Sequence, residues 1–275
     1  GEKTMYAAVR YPGRVPALVS IDLATGNIKE LAEVVGAVPH KVTSLAFDDE
    51  TETLFFTSSN SGYRNLLAYD IKTGTTRTLL KEARIGDLAF NPADRSLWGL
   101  RVNNGFVMIV RVQYPYNDWK TVHVYPYGEV PFDLDISRDG TLVSLSLAGP
   151  DGERSGMQVM QLRVMTTAAL LAGDSTPVHK FELGTAVPEG FVFSDDGHYL
   201  YGSSYYTGVS NIYRYDLGTS KLEALRNAEA GSFHPLPLDE SRLLIFHYTA
   251  EGFVPATIEI KPTEDLSAIT FLGEQ

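Results

Sequence analysis

The chain has 275 residues, 44% of them hydrophobic, with 24 Gly, 15 Tyr and 13 Phe, a mixture that favours strands and tight turns over long helices. Its formal net charge of −11 argues against a nucleic-acid surface, which needs clustered Lys and Arg, and suits a basic or amphiphilic partner better. Cysteine is absent and no run of eighteen apolar residues occurs, which excludes disulfides, thiolate metal sites and a transmembrane helix in the given chain.

The chain opens on Gly1, and residues 2–10 read as a strand with no signal-peptide pattern. The expectation is a domain excised from a longer protein whose targeting signal has been removed. Residues 4–35 hold three strands, the last two in LVSIDLATGNIKEL from Leu18. A hairpin unit then recurs: LAFDDETETLFFTSS from Leu45, LAFNPADRSLWGL from Leu88, LDISRDGTLVSLSL from Leu134, FVFSDDGHYLYGSS from Phe191 and LPLDESRLLIFHY from Leu236. Each is an apolar run, a turn rich in Asp, Asn or Gly, and a second apolar run. The first strands end at Phe47, Phe90, Ile136, Phe193 and Leu238, with separations of 43, 46, 57 and 45 residues.

A second pattern follows in phase, at LLAYDIKTGTTRTLL from Leu66, IYRYDLGTSKLEAL from Ile212 and ATIEIKPTEDLSAITFL from Ala256. Here Asp at a strand end accepts turn N–H groups and Gly supplies a positive φ. Four strands per period of about 45 residues make a propeller blade, and such repeats stack because one blade cannot bury both faces alone. The expected fold is all-β: a six-bladed β-propeller of four-stranded antiparallel blades at about 4–41, 42–84, 85–130, 131–187, 188–231 and 232–275. The first blade lacks an inner strand, which either lies upstream of Gly1 or is replaced by pairing of the chain ends. The long period reflects an insertion after Arg163, in VMTTAALLAGDSTPV, read as a helical turn or an elongated hairpin.

The hairpins ISRDGTLV at Ile136 and FSDDGHYL at Phe193 resemble the F-S-P-D-G-x-x-L core of the TolB-like, PD40-type repeat, also seen in the propellers of prolyl-oligopeptidase-like enzymes. Arg138 and Asp195 stand where that repeat has Pro, and the Gly-His and Trp-Asp signatures of WD40 repeats are missing. The resemblance implies a periplasmic or cell-envelope protein that binds other envelope proteins, whereas a fold alone leaves function open.

Motifs of catalysis are sparse. No Gly-x-Ser-x-Gly, His-Glu-x-x-His, phosphate loop or EF-hand spacing occurs, and no cofactor is expected. His40 and His234 fall near starts of inner strands, where propeller lyases and lactonases hold metals, with Asp133 and Glu189 as further candidate ligands. The acidic loop at 149–156 reads as a solvated hairpin tip, with calcium as the alternative.

Loops between second and third strands emerge on one face of a propeller. In this chain they hold Tyr11 and Arg14; Tyr63, Arg64 and Asn65; Asn103; Arg154; Tyr205 and Tyr206; and Phe253. Tyr and Arg are favoured as interface anchors. The leading expectation is a non-catalytic module binding a protein or peptide on this face. The alternatives are a metal-dependent lyase or lactonase and a small-molecule or sugar-binding module.

Overall fold

Two kinds of turn repeat along the chain, and each does a defined hydrogen-bonding task. In the inner hairpins ISRDG and FSDDG a Ser hydroxyl donates to the Asp two residues on, Ser137 to Asp139 and Ser194 to Asp196, both at 2.6 Å. The same hydroxyl accepts the N–H that opens the next strand, from Leu142 at 2.9 Å and from Tyr199 at 3.0 Å. Gly140 and Gly197 sit between at φ 71° and 70°, a region that a Cβ disfavours. In the outer hairpins Asp22, Asp70 and Asp216 accept from the N–H groups of Thr25, Thr73 and Thr219 at 2.7, 2.9 and 3.0 Å. These bonds hold all three carboxyls below their usual range; the Thr25 hydroxyl contributes most at Asp22, and the Thr N–H groups contribute most at Asp70 and Asp216.

The computed structural model describes residues 3–11, 13–34, 41–60, 63–150, 158–228 and 230–263, without the side chains of residues 41, 43, 60 and 63. The chain divides into two units, Gly1–Tyr127 and Gly128–Gln275. The first holds three antiparallel sheets: β1 (Thr4–Val9), β2 (Ala17–Asp22) and β3 (Ile28–Glu33); β4 (Lys41–Asp48), β5 (Thr53–Asn60), β6 (Tyr63–Asp70) and β7 (Thr75–Leu80); and β8 (Ile85–Asn91), β9 (Ser96–Asn103), β10 (Phe106–Val112) and β11 (Lys120–Val124). Its best-buried residues, among them Phe55, Leu66, Ile85, Leu97 and Val110, pack between the second and third sheets.

The second unit also holds three sheets: β12 (Val130–Ile136), β13 (Leu142–Pro150), β14 (Gln158–Thr166) and β15 (His179–Glu182); β16 (Pro188–Phe193), β17 (Tyr199–Ser204), β18 (Asn211–Asp216) and β19 (Lys221–Ala224); and β20 (Ser232–Pro237), β21 (Arg242–Thr249) and β22 (Gly252–Glu259). Phe191, Leu200, Tyr213 and Tyr215 fill the space against β14, while Tyr201, Ile212, Leu243 and Ile245 fill that between the last two sheets. Strand β17 is buried on both faces beyond its first residue because each middle sheet has a neighbour on either side.

These are the six blades that the repeat predicts, with one difference. Two sheets, the first and the last, have three strands. The three strands expected in residues 4–35 are present as β1–β3; the strand expected in SAITFL falls after residue 263, outside the described residues. The insertion takes the helical alternative, as α1 (Thr167–Leu171), capped by Thr166, whose hydroxyl accepts from Ala169 N at 3.1 Å.

Candidate binding site

The first strands of five sheets are bulged; β4 shifts register between Val42 and Ser44, and the other four shift between Gly86 and Ala89, Phe132 and Asp135, Glu189 and Val192, and Phe233 and Leu236. One residue in each of these last four bulges takes a positive φ: Asp87 at 47°, Asp133 at 53°, Gly190 at 59° and His234 at 47°. Gly, Asp and His enter this region more readily than other residues. In the second unit the bulges interlock. Asp133 Oδ2 accepts the N–H of Gly190 at 2.7 Å, and a Cβ on Gly190 would lie 2.8 Å from Nδ1 of His234.

Asp133 and His234 therefore flank one backbone position, while the carbonyl of the neighbouring Glu189 accepts from the Ser203 hydroxyl at 3.3 Å. His40 lies outside the described residues. Among the described residues, no three His, Cys, Asp or Glu side chains gather as a metal-binding group. Two residues beyond Asp133, burial pushes the Asp135 carboxyl up to about 6, against the opposing pull of the Phe193 and Ile136 N–H groups. The Phe193 bond measures 2.9 Å.

A concavity of about 290 Å³ opens between the last two sheets of the second unit, lined chiefly by Tyr205, Phe233, Tyr248 and Phe253. Its walls are built by three local devices. The β17–β18 loop turns back through Gly208, whose N–H donates to Tyr205 O at 2.9 Å and whose φ is 91°. Ser210 and Ser232 tie that loop to β20 by exchanging two bonds, Ser232 N to Ser210 O at 2.7 Å and Ser210 Oγ to Ser232 O at 2.9 Å. The β21–β22 hairpin places Tyr248 directly opposite Phe253 in register, so both rings stand on one face.

The rings meet edge to face. Centroids lie 6.1 Å apart for Tyr205 and Phe233, 5.3 Å for Phe233 and Phe253, and 5.3 Å for Tyr248 and Phe253. Phe253 is 61% exposed, Tyr248 51% and Tyr205 49%, large apolar area for residues that already touch one another. Among the described residues, no charged side chain lines the concavity.

The remaining candidates are dispersed in role. Tyr206 turns away from Tyr205 and packs against Tyr213 and Phe181 at 6.3 and 6.4 Å. Arg64 is part-buried with its guanidinium over Gly86, where a Cβ would collide with it, and Asn65 Oδ1 accepts the Glu82 N–H at 2.8 Å. Asn103 Oδ1 accepts from Arg84 at 3.5 Å. Tyr11 and Arg14 are exposed in the turn between β1 and β2, where Arg14 N–H donates to Tyr11 O at 3.1 Å. The side chain of Tyr63 and the whole of Arg154 lie outside the described residues.

Of the four rings, Tyr205 and Phe253 are among the candidates named from the sequence, and Tyr248 and Phe233 are not. Tyr248 was within reach, because Tyr248 and Phe253 flank the turn Thr249-Ala250-Glu251-Gly252 symmetrically and a hairpin must oppose them. Phe233 gave no such signal, since it enters the group only through the packing of one sheet on the next.

Against solved structures, the chain is similar to TolB from Acinetobacter baumannii, at 14% identity and a TM-score of 0.63 over 95% of this chain. The fold is that of a TolB-like six-bladed β-propeller. The chain spans 64% of the length of that TolB. The same propeller fold relates it to a chain of a nidogen/laminin complex (10% identity, 94% of this chain and 89% of that one, TM-score 0.63). It relates it equally to an oligogalacturonate lyase in complex with manganese (13% identity, 95% and 75%, TM-score 0.65). No family model and no curated protein sequence matches the chain. At such identities the likeness establishes the propeller and leaves its activity to be argued from its own residues.

Proposed function

We propose that this propeller is a non-catalytic binding module that holds a protein or peptide in the aromatic concavity of its second unit. The observation that carries the reading is the exposure of Tyr205, Tyr248 and Phe253 around one hollow. Exposed aromatics grouped in this way provide large contact area at low entropic cost, which is the composition of interface anchors. The volume lies at the lower edge of the range of ligand pockets, about 300–1,000 Å³, and has room for an inserted side chain. The likeness to TolB and to a chain of the nidogen/laminin complex is consistent with a protein partner, and the TolB likeness favours the periplasm or cell envelope. The likeness to the lyase extends to the fold alone.

Selection of a displayed random-peptide library on the protein tests this. Enriched peptides should bind at least about tenfold more weakly to the Tyr205→Ala/Phe253→Ala double variant, as expected for loss of two anchors. Selected peptides that bind both proteins equally would place the interface elsewhere.

A further inference from the structure

The charge is unevenly divided along the chain. Residues 1–127 carry 14 Lys and Arg against 13 Asp and Glu, whereas residues 128–275 carry 9 against 21, so the second unit alone has a formal charge of −12. The aromatic concavity belongs to this unit, and the described residues that line it are Tyr, Phe, Gly, Val, Ser and Ala. Glu251, exposed in the turn joining β21 to β22, adds a negative charge to the hairpin that carries Tyr248 and Phe253.

An anionic group would be repelled by the field of this unit, and a neutral one would gain nothing from it. A cation gains twice, from the long-range field and from the electron-rich faces of the rings. The ring planes are steeply inclined to one another, at 85° for Phe233 and Phe253, 62° for Tyr248 and Phe253, and 61° for Tyr205 and Phe233. Rings inclined in this way do not cover one another face to face, as a stacked row would. The geometry points to a basic side chain of the partner, an Arg guanidinium or Lys ammonium, as the group held between Tyr205, Phe233, Tyr248 and Phe253. This rests on the binding reading above and adds the chemistry of what is bound.

The test uses the intact chain and two probes of the same shape, N-acetyl-arginine methylamide and its uncharged citrulline counterpart, titrated while the ring resonances are followed by NMR. The arginine compound should shift the resonances of the four rings saturably and bind more tightly than the citrulline one. Phe253→Leu keeps apolar bulk but removes a π face at an exposed position, and should weaken the arginine compound about two- to fivefold while leaving the citrulline compound unchanged. Raising the salt should weaken the arginine compound selectively. Equal binding of both probes, with equal response to Phe253→Leu, would overturn the cation assignment and leave the concavity a neutral binding site. Ring resonances indifferent to both probes would also overturn it; the binding reading would then stand or fall separately, on whether the selected peptides need Tyr205 and Phe253.

Discussion

Arg138 and Asp195, which occupy the same position in successive hairpins ISRDG and FSDDG, reach each other at 3.5 Å. Both stand where the TolB-type repeat has Pro, so two departures from the repeat form an ion pair with one another. The corresponding link in the first unit joins Arg95 to Asp48 at 2.6 Å, again from one inner-hairpin turn to the next. The two pairs differ in burial: Arg138 and Asp195 are 57% and 69% exposed, whereas Asp48 is 2% exposed.

Burial decides what each pair is worth. Removing Arg138 takes away an ion pair that water screens on both sides, and Arg138→Ala should cost under about 0.5 kcal/mol. Removing Arg95 leaves a buried carboxylate that keeps only the Thr51 hydroxyl at 2.6 Å and the Glu50 and Thr51 N–H groups. Arg95→Ala should therefore cost about 2 kcal/mol. Urea denaturation of the two variants measures both, and equal losses would mean that water reaches the Asp48 carboxylate once Arg95 is gone.

What the sequence revealed and what it concealed follow from the range of the forces involved. The ISRDG and FSDDG hairpins are legible because Ser, Asp and Gly each satisfy or permit a backbone group within five residues. The bulges at Asp87, Asp133 and His234 are not, because a register shift is set by the pairing strand and the neighbouring sheet, and no local pattern at these residues announces a positive φ. The same distinction divides the concavity: Tyr248 and Phe253 are opposed by a local hairpin, while Phe233 arrives by tertiary packing. Tyr205 and Tyr206 look equivalent in the sequence, yet in the turn between β17 and β18 the first ring meets Phe233 and the second meets Tyr213 and Phe181.

Gly202 in β17 is a position at which close approach demands glycine. A Cβ there would fall within the ring of Phe191, itself 1% exposed and packed with Leu200 and Tyr213. Gly202→Ala should destabilise the second unit by about 1–3 kcal/mol, the usual cost of overpacking. Adding Phe191→Leu should return part of the loss, a coupling that a double-mutant cycle in thermal unfolding detects. Independent, additive effects would show that the ring can move aside.

Asp135 gives the second unit a pH dependence of unusual sign. Its carboxyl is pushed up to about 6 in the folded protein against an ordinary value near 3.8, so between those values the folded state binds more protons than the unfolded one. Stability from this group is therefore greatest at low pH, falls as pH rises from about 4 to 6, and is constant above. The turn carboxyls Asp139, Asp196 and Asp216, all held below their usual range, act oppositely and lose their contribution as pH falls below about 4. Asp135→Asn keeps an oxygen to accept the Phe193 N–H without the charge on this half-buried residue. It should raise stability at pH 7.5 by about 1–3 kcal/mol and remove the fall between pH 4 and 6. A variant less stable than the parent at pH 7.5 would mean that the carboxylate is better solvated than its surroundings imply.

The two tyrosines of the β17–β18 loop should separate binding from stability. Tyr205 is 49% exposed and its one ring neighbour is Phe233 of the concavity, so Tyr205→Ala removes a wall while leaving the core of β18 untouched. Tyr206 is equally exposed but rests edge-on against Tyr213, a 2% exposed ring whose hydroxyl is held by Thr207 at 2.9 Å. Removing Tyr206 uncovers that buried neighbour and loses an aromatic contact worth about 0.5–1.5 kcal/mol. Tyr205→Ala should thus weaken peptides selected on the concavity while moving the melting temperature by less than about 1 °C. Tyr206→Ala should leave their binding unchanged and lower the melting temperature by about 2–4 °C, the shift expected for 1 kcal/mol in a chain of this size. Calorimetry paired with a peptide-binding titration reads both quantities on each variant. The reverse assignment, with Tyr206 governing binding, would move the proposed surface towards Phe181 and away from Phe253.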